Sequence, residues 1–284
     1  MPRKILIGFG VDADAASVWI AETSPVDVSR GMYGGEVCIP RLLKLFAKYN
    51  IQTTWFIPAH SLETFPEQLA AVRDAGHEIG MHDYLHERQS KLTVEQQKDV
   101  LDHAYDVITK FNNGIGVALH AGTQVETALG YSSRKESSTI IRTWLTSTSQ
   151  AYYLRMGDDW TKIDYQAKAE TWIKPLLRGT ETGLVKIPTN WAAAGNPNGW
   201  VNTRDVEQLW KDTFTYLYRG VTFGVFFPLT TEEESFIFPI SIHPDVSGPS
   251  DSPTRPQERF IEWVNTHEDV QWGPKKVQKT RIGQ

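Results

Sequence analysis

Two histidines four residues apart, His82 and His86, follow a short apolar run that ends at Gly80 and Met81. On a helical turn, side chains at that spacing point the same way, so both imidazoles could reach one divalent ion. A carboxylate from another strand end would complete a two-histidine, one-carboxylate face with positions left for water and substrate. That set suits zinc, and other divalent transition metals fit it too. The spacing alone fits a solvated or hydrogen-bonded pair equally well. Asp12 and Asp14 stand one residue apart after a second apolar run. Alternate residues of an extended segment face the same way, and two carboxylates there repel unless their roles differ. One could bind the ion while the other stays free as a base. The other reading is a turn with two solvated acids, since Asp favours turns through its own backbone hydrogen bonds. His243 directly follows Ile240-Ser241-Ile242. It is either a structural histidine bonded to nearby backbone or a general acid, because imidazole titrates near neutrality.

Each of these residues sits where a strand is expected to end. Lys4–Phe9 reads as a buried strand leading through Gly10 to the two acids, and Gln52–Ile57 as a β-branched, aromatic strand closed by Pro58. His77–His82 reads as a short strand, and Phe236–Ile242 as the strand that delivers His243. Helical patterns alternate with them. One opens at Pro40 and is stopped by Asn50, one follows Pro66 and ends at Gly76, and one is capped by Thr93 and runs through Ile108. Later, Leu184–Pro188 reads as a strand, and Val206–Tyr218 and Arg259–Asn265 as helices. Alternating strand and helix predicts a parallel sheet or barrel, with the chemistry at the strands' C-terminal ends.

The 284 residues suffice for one α/β barrel or two ordinary domains, and 40% hydrophobic with 22% charged residues is the balance of a soluble globular protein. A formal charge of −5 with no Lys/Arg-rich run argues against nucleic acid as a partner. Cys38 is the single cysteine, which rules out an internal disulfide and reads as a small packed residue. The first apolar run, Ile5–Phe9, is too short for a signal h-region or a membrane span. The expectation is a cytosolic protein with no membrane partner. Among the other histidines, His60 falls near the expected mouth, His77 reads as structural, and His103 and His267 as helix or surface positions.

With these residues in place, the sequence resembles the polysaccharide deacetylase family, the NodB-homology enzymes of carbohydrate esterase family 4. The resemblance is carried by Ile7-Gly8-Phe9-Gly10-Val11-Asp12-Ala13-Asp14, Thr54-Trp55-Phe56-Ile57, Gly76 through His82 with His86, and Ile242-His243-Pro244. It extends through Tyr152–Arg155, Trp160–Tyr165, Val206–Trp210 and Asp245-Val246-Ser247-Gly248, roughly two thirds of the chain, in the family's order. It is strongest toward the intracellular branch of peptidoglycan-deacetylase-like proteins, cyclic-imide hydrolases and metal-independent allantoinases. What the resemblance implies is an α/β fold of the distorted (β/α) barrel type, one domain over residues 1–272 with a loose tail at 273–284. It implies a divalent metal, zinc before others, on Asp14, His82 and His86. Asp12 is then the base that deprotonates the attacking water, and His243 the acid that protonates the leaving nitrogen. The implied reaction is hydrolysis of a non-peptide carbon–nitrogen bond, in an N-acetyl sugar or in a cyclic imide or ureide. The implied partner is a small-molecule or oligosaccharide substrate, and a homo-oligomer is expected by analogy with the same branch.

The sequence departs from the family in four places, one of them the shorter chain between Asn190–Gly195 and Asn198-Gly199-Trp200. The third motif, an Arg-x-x-Ala-Pro-Trp-like segment, is missing, and no proline occurs between Pro66 and Pro175. Residues 114–149 are instead rich in Ser and Thr with poor apolar periodicity. Reread one frame over, with permitted codons, Ala118–Gly122 and Ser133–Trp144 both give phrases typical of the family, so this segment reads as translated out of frame. Residues 220–234 interrupt a helix-to-strand connection with extra apolar residues. His82 is followed by Asp83, where the family favours Gly, Ser or Thr. A second expectation follows from the missing motif: a catalytically impaired barrel that keeps its fold, with or without its metal.

Overall fold

The structure, a computed structural model, describes residues 5–20, 25–88, 91–113, 118–120, 141–143, 152–157, 159, 161, 163–188, 203–222, 236–247 and 256–273. Its strands are β1 (Ile5–Asp12), β2 (Thr54–Ile57), β3 (Glu78–Met81), β4 (Ala118–His120), β5 (Ile141–Thr143), β6 (Tyr152–Met156), β7 (Thr180–Pro188), β8 (Phe236–Ile242) and β9 (Val270–Trp272). They form one sheet in the order β6-β7-β5-β4-β3-β2-β1-β8, with β9 also on β1. Every pairing is parallel except β6 with β7. Parallel neighbours need long crossovers, and helices supply them. Between β1 and β2 lie α1 (Ser17–Ile20), α2 (Pro25–Tyr33), a π-helical turn (Gly34–Cys38) and α3 (Ile39–Lys48). Next come α4 (Ala59–Thr64), α5 (Pro66–Asp74), α6 (Val94–Phe111), α7 (Thr203–Thr222), α8 (Pro244–Ser247) and α9 (Pro256–Val264). This is the α/β architecture of a distorted barrel, as expected.

β1, next to the edge strand β8, is paired along both of its edges. One edge pairs with β8 over seven residues, while the other edge is shared by β9 at Ile5–Ile7 and β2 at Gly10–Asp12. Ile5, Ile7, Phe9 and Val11 alternate onto one face and are all at most 1% exposed, while on the other face Leu6 is exposed and Gly8, Gly10 and Asp12 are buried. Aromatic side chains knit the helices onto it. Phe9 stacks on Trp272 at 5.5 Å between centroids and meets Phe46 at 5.6 Å. Trp210 and Phe214 of α7 reach Phe260 and Phe238 respectively. Each such side chain contributes about 1.5–3 kcal/mol by leaving water.

The register sets the site. Val11 lies opposite both Trp55 and Ile242, and Asp12 opposite Phe56. Phe56 in turn lies opposite Gly80, and Ile57 opposite Met81. The residues that follow β1, β3 and β8 therefore emerge at one level, so Asp12 to Asp14, His82 and His243 share a single C-terminal rim.

Several local expectations hold for stated reasons. Thr93 caps α6 in a full capping box with Gln96, Asn50 ends α3's exit in a left-handed conformation (φ 51°), and Gly76 does the same after α5 (φ 81°). Eight elements were not anticipated: the helices α1, α2, α4 and α8 and the strands β4, β5, β6 and β9. Val26, Val28 and Gly31 blur the helical pattern in α2, and α4 and β9 are too short for a periodic signal. Of the irregular stretches, 114–149 is described only at 118–120 and 141–143, and 220–234 only through Thr222. The remainder of both, residues 190–200 and the tail after Gly273 lie outside the described residues. Among the described residues, no helix is long and apolar enough to cross a membrane.

Gly31 lets α2 lie directly on the turn that follows Asp14. A Cβ there would sit 2.5 Å from the Ala15 carbonyl oxygen and 2.6 Å from the Ala16 Cα, both backbone atoms that cannot swing aside. Gly31→Ala is expected to lower stability by about 1–3 kcal/mol, read by chemical or thermal unfolding. Unchanged stability would mean that α2 does not approach the turn this closely.

Candidate metal centre and active site

β1 ends at Asp12, and the amide of Ala13 still donates to the Phe56 carbonyl (2.8 Å), which keeps the chain extended beside β2. Ala15 then turns the chain with a positive φ of 46°. The carbonyl of Asp14 accepts from the Ser17 hydroxyl (2.6 Å), the Ser17 amide (2.9 Å) and the Ser61 hydroxyl (2.6 Å). Three donors on one carbonyl fix the Asp14 backbone at the rim. Asp12 is fully buried and accepts from the Ser241 hydroxyl at 3.2 Å. Sequence reasoning missed Ser17 and Ser61 as positioning residues. Ser17, three residues beyond Asp14, carried the spacing of a hydroxyl turn, whereas Ser61 reaches across the fold and left no local signal.

The histidine pair is brought together differently from the expectation. Residues 82–86 do not form a helical turn: Asp83 (φ 57°) and His86 (φ 59°) are both left-handed. The amide of His82 extends the sheet pairing by donating to Ile57 O (3.1 Å). The first amides of α4 then hold the loop, Ala59 N donating to Asp83 O (3.2 Å) and His60 N to Tyr84 O (2.9 Å). From the other side the Glu87 carboxylate accepts from the amides of Leu85 (2.9 Å) and Tyr84 (3.3 Å). So held, the two imidazoles stand 4.7 Å apart between centroids at 74°. A left-handed residue with a side chain costs about 1–2 kcal/mol, and Asp tolerates it better than most. That accounts for Asp83 in a place where the family favours Gly, Ser or Thr. Asp83 does not face water, being 5% exposed.

The rim gathers all five expected residues. His82 Nε2 lies 3.4 Å from Asp14 Oδ1, while His243 Nε2 lies 3.5 Å from Asp14 Oδ2 and 3.7 Å from Asp12 Oδ2. One donor atom from each of Asp14, His82 and His86 falls within 4.8 Å of the others. An ion held at about 2.0–2.2 Å from nitrogen and oxygen needs donors about 3–4 Å apart, which the Asp14–His82 spacing already meets. Asp14 Oδ1 is buried and accepts no hydrogen bond among the described residues. A buried carboxylate oxygen without a donor is costly, and a cation between it and two imidazoles removes that cost. The residues therefore fit a divalent ion.

The electrostatics agree. Burial pushes the Asp14 carboxyl above its ordinary range, against the pull of His86 and His243. Burial opposes charge on His86, but the Asp14 and Asp83 carboxylates outweigh it and push its pKa up. His77, read as structural, is that: its Nδ1 accepts from the Thr53 amide (3.1 Å), and burial lowers its pKa. His60 packs edge-on against Tyr84 at the loop.

Comparison with known proteins identifies the lineage. The sequence profile of the family described as polysaccharide deacetylase matches residues 31–119. The chain is 38% identical, over 293 aligned positions, to the peptidoglycan deacetylase of Helicobacter pylori, covering 96% of this chain and 94% of that protein. This chain belongs to the polysaccharide deacetylase family. It is also 31% identical to the peptidoglycan deacetylase-like protein FGM2 of Gibberella zeae, across 96% of this chain and 82% of that one. The crystal structure of Puue allantoinase superposes with a TM-score of 0.71 at 18% identity, covering 95% of this chain and 87% of that chain, which shows a common fold. The family's members are hydrolases of carbon–nitrogen bonds other than peptide bonds. The matched stretch contains His82 and His86 and stops at Leu119, within the segment where the third motif is missing.

Raised in the folded state, the Asp14 pKa makes the metal-free protein bind this proton more tightly than the unfolded chain does. Ionising Asp14 as pH rises above 3.8 therefore removes stability from the metal-free fold. Asp14→Asn is expected to raise the melting temperature of the metal-free protein at neutral pH. It should also weaken metal binding by more than about 100-fold, beyond the effect of an outer-shell partner. Calorimetry with and without zinc reads both, and unchanged affinity would remove Asp14 from the ligand set.

Proposed function

We propose that this chain is a metal-dependent deacetylase-type hydrolase, a single barrel over residues 1–272 that binds one divalent ion on Asp14, His82 and His86. Zinc suits the two imidazoles and one carboxylate best. The observation that supports this is the buried donor set at the strands' C-terminal rim, with a second carboxylate and a third imidazole beside it and not needed as ligands. When bound, the ion supplies Lewis acidity and lowers the pKa of water. Asp12, held by Ser241 against the rim, takes the proton of the attacking water. His243, between Asp12 and Asp14, gives a proton to the leaving nitrogen, which is too basic to depart unprotonated.

The substrate class that the relatives support is an N-acetylated amino sugar, since the named function of the Helicobacter pylori relative is peptidoglycan deacetylation. A cyclic imide or ureide presents the same carbon–nitrogen bond to the same groups. A second reading is favoured by one observation, the absence of any proline between Pro66 and Pro175, where the third motif belongs. On that reading the barrel retains fold and metal without turnover.

Acetylated chitooligosaccharides, cyclic imides and allantoin, assayed with zinc, separate these readings. Turnover of the acetylated sugar is expected, with loss on chelation and recovery on adding zinc back. Asp12→Asn is expected to lower kcat by about 100- to 10,000-fold with metal retained. Activity that survives chelation would overturn the metal-dependent mechanism, and retained metal without turnover of any substrate would establish the second reading.

A further inference from the structure

The turn that carries His243 is clamped from outside the rim. The amides of Val246 and Ser247 both donate to the His243 carbonyl (3.2 and 2.8 Å), which winds α8 directly off the imidazole-bearing residue. Two residues on, Asp245 is 6% exposed, a depth at which a lone carboxylate is costly. Arg30 of α2 meets it, with Nε 3.3 Å from Asp245 Oδ2. The guanidinium is itself oriented by the Trp19 ring, its carbon 5.2 Å from the ring centroid. The π-helical turn closes behind: a Cβ on Gly34 would lie 3.0 Å from Asp245 Cβ. Burial pushes the Asp245 carboxyl up, and the nearby His243 and Arg30 pull it back.

Neither Arg30 nor Asp245 has a part in the mechanism above. Arg30 comes from the crossover between β1 and β2, while His243 leaves β8, so their link joins the crossover to the rim. From this geometry we infer that Arg30 is a positioning residue whose ion pair with Asp245 locks the 243–247 turn and holds the His243 imidazole against Asp12 and Asp14. The inference rests on His243 acting upon the leaving nitrogen, and its test separates the two.

In the full chain, Arg30→Gln is expected to lower kcat on the acetylated sugar on the order of 100-fold, the loss a displacement of about 1 Å can bring. KM should stay within about twofold and zinc content should be unchanged, because neither residue is a ligand. Arg30→Lys keeps a cation at Asp245 and is expected to recover at least about tenfold of that loss. Asp245→Asn should match Arg30→Gln, and the double variant should lose no more than either single one, since both break the same link. A fall in melting temperature with kcat within twofold of the parent would reduce the pair to a structural strut and overturn the inference. If Arg30→Gln does not fold, Arg30→Lys and Asp245→Asn carry the same comparison. If the parent shows no turnover, a crystal structure of zinc-loaded Arg30→Gln decides. His243 Nε2 more than about 1 Å from its parental place beside Asp14 supports the inference, and an unmoved ring overturns it.

Discussion

Asp14 carries a carboxylate oxygen buried under the C-terminal rim of the sheet, facing imidazoles and accepting no hydrogen bond among the described residues. A charge in that position is several kcal/mol out of balance unless a cation or a proton meets it. Without a cation, burial disfavours the ionised carboxylate and pushes the Asp14 pKa up. With a divalent ion in place, the same burial becomes an advantage, because the attraction between ion and carboxylate is less screened by water. On the proposed function, the arrangement would exchange stability of the metal-free fold for metal affinity.

Much of the surrounding structure maintains that imbalance. Parallel register aligns the ends of β1, β3 and β8, so residues distant in sequence reach one level. Side-chain and backbone hydrogen bonds then fix the backbone there. Ser17 and Ser61 hold the Asp14 carbonyl, the first amides of α4 hold the His82–His86 loop, and Glu87 secures that loop from the far side. Two left-handed residues in five are a local cost, tolerated because the hydrogen bonds around them leave no alternative path. The third imidazole is placed by a separate device, the link from α2 through Arg30 to Asp245.

The sequence made the rim legible because each strand there ends in a sharp change from apolar to polar residues. Ile7 through Phe9 followed by Asp12 and Asp14, and Ile240-Ser241-Ile242 followed by His243, need no structure to be noticed. The route by which His82 and His86 meet was not legible. Their spacing suggests a helical turn, and only the backbone shows Asp83 and His86 to be left-handed, since no glycine marks either position. α2 was hidden by its own composition, with two valines and a glycine in nine residues. Arg30 and Asp245 lie too far apart in the chain for any local pattern to join them, and Ser61 reaches Asp14 only once β1 and β2 are side by side.

The proposed chemistry therefore turns on whether a cation occupies the space between one carboxylate and two imidazoles. The most direct measurement is anomalous diffraction at the zinc edge from crystals of the full chain grown with zinc. One strong peak is expected at about 2.0–2.2 Å from an Asp14 oxygen and one nitrogen each of His82 and His86. No peak there in zinc-saturated crystals, or a peak held by other side chains, would contradict the proposal.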